Sequence, residues 1–282
     1  MTTTNMGSPM RLRSVLFVPG VRPERFDKAL ASGADAVIID LEDAVAPGEK
    51  DVARAAVVAW LQARAAVAPL HTTASLLLRV NGVDTPAFAD DLTLVDHPAW
   101  GGIVLPKVET AASMGALRGA GVHTVIPMIE TLAGLDAATE IASAPGVSRL
   151  AFGSLDFQAD LGMRDALDEE LLPFRTQLVM ASRRAGIGAP IDGVTTAIDN
   201  AEILSADVLR ARRLGFAGKL CIHPRQVALV NTLFAPTPDE IAWATRVVAA
   251  TDATRGGAVA VDGMMVDTPV LLRAQAILAD AD

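Results

Sequence analysis

The chain has 282 residues, 51% hydrophobic and 20% charged, enough to bury a full core without disulfide or metal staples. Its 24 Lys and Arg against 33 Asp and Glu give a formal charge of −9, which excludes the basic footprint of a nucleic-acid partner. A single cysteine (Cys221), a longest apolar run of seven residues (Ala55–Leu61) and no secretory core in the first 14 residues leave no disulfide, no membrane span and a cytoplasmic expectation.

Residues 1–12 read as a flexible N-terminal tail. A rhythm then begins, in which short runs of Val, Ile and Leu end in polar or turn residues and alternate with Ala-rich helical stretches. Strand Ser14–Pro19 leads to helix Pro23–Ser32, with Phe26, Ala29 and Leu30 on one side. Strand Ala36–Asp40 leads to helix Glu49–Ala65, where Val52, Ala56, Ala59, Trp60 and Ala63 recur at helical intervals. Strands Leu76–Val80 and Gly102–Pro106 follow, then helix Ala111–Gly119, strand Thr124–Ile129 and helix Thr131–Ser143. Strand Arg149–Gly153, helix Pro173–Ala185, the short strand Ala189–Asp192, helix Ser205–Leu214, strand Lys219–His223 and helix Pro224–Leu233 complete the series.

Most of these strands are uniformly apolar, as strands covered on both faces are. Eight such units predict a closed (β/α)8 TIM barrel over residues 13–235. No G-x-G-x-x-G follows any strand, which disfavours a dinucleotide fold. Residues 236–282 are surplus to the barrel and predict a C-terminal helical extension: helix Pro238–Thr251, a glycine-rich link at Arg255–Gly257, and a helix over Thr268–Ala279. The extension either packs on its own barrel or reaches another subunit.

A barrel puts its active site at the C-terminal ends of its strands. Read in order, those ends carry Arg22; Asp40, Glu42 and Asp43; Arg79 and Asn81; Lys107 and Glu109; Glu130 and Thr131; Asp156; Asp192; and His223. Several carboxylates in one dry mouth require a positive partner. Oxygen donors select Mg2+ or Mn2+, whereas four His and one Cys without ligand spacing disfavour zinc. Each acid taken singly also suits a helix cap.

The segments Pro19-Gly20-Val21-Arg22, Asp40-Leu41-Glu42-Asp43, Arg79-Val80-Asn81, Pro106-Lys107-Val108-Glu109, Ile129-Glu130-Thr131, Gly153-Ser154-Leu155-Asp156 and Ile222-His223-Pro224 carry a resemblance. They resemble the citrate lyase beta subunit-like group of the HpcH/HpaI aldolase superfamily, in order, from about Arg13 to Ala276. The resemblance implies one Mg2+ held by Glu130 and Asp156, with Arg79 facing the reacting carbonyl. Leu155 stands where family members often carry Glu. Gly263-Met264-Met265-Val266-Asp267-Thr268-Pro269 resembles a segment that delivers a catalytic Asp over a neighbouring subunit's barrel, so Asp267 is the expected acid–base residue.

The reaction so implied joins or splits a 2-oxo acid, of oxaloacetate or glyoxylate type, and an acyl-CoA enolate, as in citryl-CoA or malyl-CoA cleavage. Glu130 and Arg79 also bind the substrate, Arg22 meets a CoA phosphate, and Asp43, with Asp40 and Glu42, orders metal-bound water. Lys107 reads as a partner of the acids rather than as a Schiff-base residue. A homotrimer or hexamer is expected. The alternatives are a malyl-CoA thioesterase or malate synthase, a CoA-independent class II aldolase, and a subunit dependent on an acyl carrier protein.

Overall fold

The computed structural model describes residues 11–65, 73–253 and 259–281. It falls into two compact units that divide at Asn231 and Thr232. The first begins with β1 (Ser14–Pro19), a 3-10 turn Pro23–Arg25, α1 (Phe26–Leu30), β2 (Ala36–Asp40), α2 (Lys50–Ala65), β3 (Ser75–Arg79) and α3 (Pro86–Asp91). It continues through β4 (Gly102–Leu105), α4 (Gly115–Gly119), β5 (Val125–Ile129), α5 (Leu132–Asp136), α6 (Ala138–Ala142), β6 (Ala151–Phe152) and α7 (Ser154–Asp160). Then come α8 (Leu172–Ala185), β7 (Ile191–Asp192), α9 (Ala201–Leu214), β8 (Gly218–Cys221) and α10 (Pro224–Phe234), which runs past that division.

The eight strands close in sequence order into a parallel (β/α)8 barrel, with β8 pairing back to β1. Alternate positions fill its interior: Val15, Ala36, Ile38, Leu77, Val104, Ile126, Met128, Ala151, Ile191 and Leu220 form one buried cluster. The intervening positions face the helices, which is why the runs read as apolar throughout. No helix is long and apolar enough to cross a membrane among the described residues.

The barrel differs from the sequence expectation at several points. The buried stripe of α2 is Ala53, Val57 and Leu61, while Val52 is 60% exposed. Ala and Val surround this helix, so periodicity alone could not orient it. Arg54 settles the rotation by reaching the buried Asp91 at 2.8 Å. Helices α3 and α7 were not expected; Asp156 is the third residue of α7 rather than the end of a strand. Strand β8 stops at Cys221, and His223 lies in the turn beyond, where its Nδ1 accepts the Arg225 N–H at 3.2 Å. Asp192 faces the helices instead of the mouth. Its Oδ1 accepts Arg175 Nε at 2.9 Å, and Lys219 Nζ lies 3.8 Å from its Oδ2.

That last cluster is a buried charge network between barrel and helices. Arg175 also reaches Asp168 at 3.2 Å, and Arg210 bridges Asp168 and Asp207 at 2.7 and 3.1 Å. Lys219, 1% exposed, donates to the Gly193 carbonyl at 2.7 Å, and Gln226 donates to that of Thr195 at 2.9 Å. Removing one partner of a buried pair costs about 3–5 kcal/mol, so this network fixes the chain that leaves β7.

The second unit holds α11 (Pro238–Ala253), an antiparallel pair β9 (Val259–Val261) and β10 (Met264–Val266), and α12 (Thr268–Ala281). The two-stranded pair was not expected. Ala244, Val247, Val261, Val266 and Ala274 form its core. The link Arg255–Gly257 lies outside the described residues, as does most of the N-terminal tail.

Candidate active site

Arg79, at the end of β3, is the hub of the mouth. Its Nε and Nη2 each bond Asp40 at 2.7 Å, a bidentate pair across neighbouring strands. Its Nη1 lies 2.9 Å from Glu42 Oε2, and the Phe17 ring covers one guanidinium face at 4.7 Å. Burial disfavours the cation, but Asp40, Glu42 and Glu130 more than compensate and hold it far above the ordinary arginine value.

Glu42 also accepts Lys107 Nζ at 2.5 Å, while Lys107 lies 3.4 Å from Asp43 and 3.9 Å from Asp156. Against its own burial, the hydrogen bond and charge of Glu42, with Asp43 and Glu130, keep this ammonium well above the usual lysine range. Its ammonium thus stands among three acids, Glu42, Asp43 and Asp156. Lys107 also adopts a left-handed φ of 50°, rare for a residue with a side chain. That conformation lets its backbone N–H donate to Glu130 Oε2 at 2.7 Å.

Glu130 is 1% exposed. Burial first, then the charges of Glu42 and Asp156, push its carboxyl up to about 8, against the pull of Arg79 and the Lys107 N–H. Gly153 makes room for it: a Cβ there would stand 2.2 Å from Glu130 Oε1. Glu130 and Asp156 line one cavity of about 380 Å3 with Asp40, Asp43 and Arg79. The donors are all oxygens, and Glu130 lies among acids that a cation would relieve. This fits a hard divalent ion, which takes one or two carboxylates and fills its shell with water and substrate. Among the described residues no three His, Cys, Asp or Glu side chains are placed to hold a metal by themselves.

Not every expected residue joins the cavity. Asn81 bonds Asp91 at 2.7 Å, and Thr131 caps α5 by accepting the Gly134 N–H at 3.1 Å. Arg22 pairs with Glu24 at 2.6 Å and does not line the cavity. Asp40 and Glu42 are held by cations instead of standing free for water. Asp267 belongs to the second unit, where its Oδ1 accepts the Val270 N–H at 3.2 Å. Cys221 is buried, and burial pushes its thiol up to about 12, so it is no nucleophile.

Sequence reasoning missed Phe17, Val194, Ile222 and Lys50. Lys50 donates to the carbonyls of Leu41 and Glu42 at 2.7 and 2.6 Å and so shapes the acidic turn after β2. One signal was available. The chain has four lysines, and Lys50, Lys107 and Lys219 all hold buried acids or carbonyls.

The chain as a whole resembles known proteins. The family model described as HpcH/HpaI aldolase/citrate lyase matches residues 13–224, which spans all eight barrel strands. The chain belongs to that family. A citrate lyase subunit beta-like protein of Deinococcus radiodurans is 40% identical over 280 residues, covering 96% of this chain and 98% of its own. A (3S)-malyl-CoA thioesterase of Cereibacter sphaeroides is 35% identical over 276 residues, covering 96% and 94%. The crystal structure of CitE from Mycobacterium tuberculosis in complex with magnesium, acetoacetate and coenzyme A superposes with a TM-score of 0.81 at 34% identity, covering 95% of this chain and 97% of that one.

Proposed function

We propose that this family member is a carbon–carbon lyase acting between a 2-oxo acid and the enolate of an acyl-CoA, with Mg2+ as cofactor and Mn2+ as a substitute. The observation that carries this reading is the convergence of Glu130, Asp156 and Arg79 on one cavity. The magnesium, acetoacetate and coenzyme A in the Mycobacterium tuberculosis relative support it.

Glu130 and Asp156 would hold the metal, which supplies Lewis-acid charge to the oxo acid's carbonyl. Arg79, kept cationic by Asp40 and Glu42, donates to the oxygen that becomes an alkoxide, where charge develops. Two of its five N–H donors bond Asp40, and Nη1 lies 2.9 Å from Glu42 Oε2. Asp43, 54% exposed at the rim, orders water there. In the condensing direction Asp267 removes a proton from the methyl carbon of the thioester; in cleavage it returns one. Arg22 steers the CoA phosphates from the rim.

The test is a mass-spectrometric screen of CoA thioesters against glyoxylate, pyruvate and oxaloacetate. Hydroxyacyl-CoA should form with Mg2+ and stop with chelator; no product from any pair defeats the reading. The likeness to malyl-CoA thioesterases supports a second reading, hydrolysis of the thioester, and release of free CoA in the same screen distinguishes it. Likeness to citrate lyase beta subunits supports an acyl carrier protein as alternative carrier of the acyl group. The proposed compartment is the cytoplasm.

The proposed assembly is a trimer or a dimer of trimers in which Asp267 serves a neighbour's barrel. The exposed Met264 and Met265 beside it, 72% and 71% open, give that segment an apolar docking face. Mixing Asp267→Ala chains with Glu130→Ala chains, each inactive alone, should restore part of the activity. Subunit exchange without recovery would assign Asp267 to capping α12.

A further inference from the structure

Glu130 and Asp156 are fixed to different degrees. Glu130 is buried, the Lys107 N–H donates to its Oε2, and Gly153 packs beside its Oε1. Asp156 rides on α7, a helix of seven residues, and its carboxylate meets Lys107 only at 3.9 Å, beyond hydrogen-bond reach. A helix this short has no stability of its own. Its placement, and with it that of Asp156, follows from what holds its two ends.

The start of α7 is set by contact. Ser154, its first residue, packs on Gly193, where a Cβ would stand 2.3 Å from Ser154 Oγ. Gly193 is itself held, since its carbonyl accepts Lys219 Nζ at 2.7 Å. The end of α7 is set by a hydrogen bond. Asp160, its last residue, accepts the Leu132 N–H through Oδ2 at 2.8 Å. Leu132 opens α5, two residues after Glu130, and a first-turn N–H has no partner inside its own helix. The two residues are 28 apart in the chain, so the bond ties separate segments together. Asp156 and Asp160 are one turn apart on the same face of α7. The bond thus links the segment that carries Glu130 to the face that carries Asp156.

We propose that Asp160 is a positioning residue of the metal site, whose bond to the Leu132 N–H sets Asp156 against Glu130 before a cation arrives. The proposal rests on the placement of Mg2+ at those two acids. Asp160 does not line the cavity and acts through Asp156. With the bond made, a cation meets both carboxylates already in place. Without it, the far end of α7 loses its tie to the Glu130 segment, and binding must first order that helix against its conformational entropy. A residue that only capped α5 would support the melting temperature and leave the affinity for Mg2+ untouched.

The experiment titrates Mg2+ alone, by calorimetry, into the full chain and into its Asp160→Ala and Asp160→Asn variants, with a thermal melt of each in chelator. Asp160→Ala should weaken Mg2+ binding by about tenfold or more, the scale of losing an outer partner of a metal ligand. Asp160→Asn keeps an oxygen that can accept the Leu132 N–H and should recover most of that loss. Unchanged affinity in folded Asp160→Ala overturns the proposal, whatever the melt, and leaves Asp160 as a cap of α5. An Asp160→Asn as weak as Asp160→Ala also overturns it, because the effect would then belong to the charge and not to the bond. Asp160 is exposed, so the variants should fold. Asp160→Ser, with a shorter side chain, is read by the same criterion if Asp160→Ala does not. A natural chain that binds no Mg2+ overturns the metal placement and this proposal with it, whereas natural binding with an indifferent Asp160→Ala overturns the proposal alone.

Discussion

Glu130→Gln is expected to abolish turnover and to weaken Mg2+ binding by more than about 100-fold, since losing an outer partner of a metal ligand alone costs about 10–100-fold. The glutamine keeps the volume that Gly153 accommodates and an oxygen that can still accept the Lys107 N–H, so the fold should be retained. The amide removes only the charge, and charge is what a hard cation seeks from a buried acid. Calorimetric titration of Mg2+ into this variant checks the assignment; affinity equal to that of the natural protein would move the metal elsewhere. Asp156, 43% exposed on the first turn of α7, should lose less when changed alone, because water can replace it there.

Arg79→Lys is the second large effect. A lysine ammonium cannot reproduce the two parallel bonds to Asp40, and it leaves the position from which a guanidinium reaches the developing alkoxide. Loss of one such donor lowers kcat by about 10²–10³. Mg2+ affinity should change far less, because Arg79 is not a ligand. Steady-state kinetics over a range of oxo-acid concentrations separates the two, and a kcat within a few-fold of the natural enzyme would remove Arg79 from the chemistry. Arg79→Met is a less clean probe. It strands Asp40 as a buried acid without its cation, at a cost of about 3–5 kcal/mol.

The barrel was legible because its strands are covered on both faces, so each is a short apolar block that ends where the mouth begins. Glu130 and Arg79 could be placed for that reason: each is the first charged residue after such a block or its last member. Asp192 meets the same description yet faces the opposite way. A strand of two residues gives too little alternation to show which side a terminal acid takes, and only Arg175, 17 residues earlier in the chain, reveals it. The rotation of α2 was hidden by an excess of alanine and valine, with a charged residue, Arg54, on the inner side. Part of the cavity's apolar lining was illegible for a different reason. Phe17, Val194 and Ile222 look like ordinary strand and turn residues until closure brings β1 and β8 together. Polar side chains stand out in a sequence as chemistry, whereas the hydrocarbon wall they work against does not.

The joint between β6 and β7 consists of one register pair, Ala151 with Ile191, where β1 and β2 share five. Backbone ladders resist separation in proportion to their length, and local opening follows the least protected joint. The cylinder therefore has a seam, and side-chain charges brace it from the β7 side where main-chain bonds are few. The stave before the seam leads into Gly153 and Asp156; the stave after it leads into Val194. Any parting of the seam would carry Asp156, one of the two acids that would hold the metal, away from Val194 across the cavity, so the site's grip depends on the thinnest joint of the cylinder.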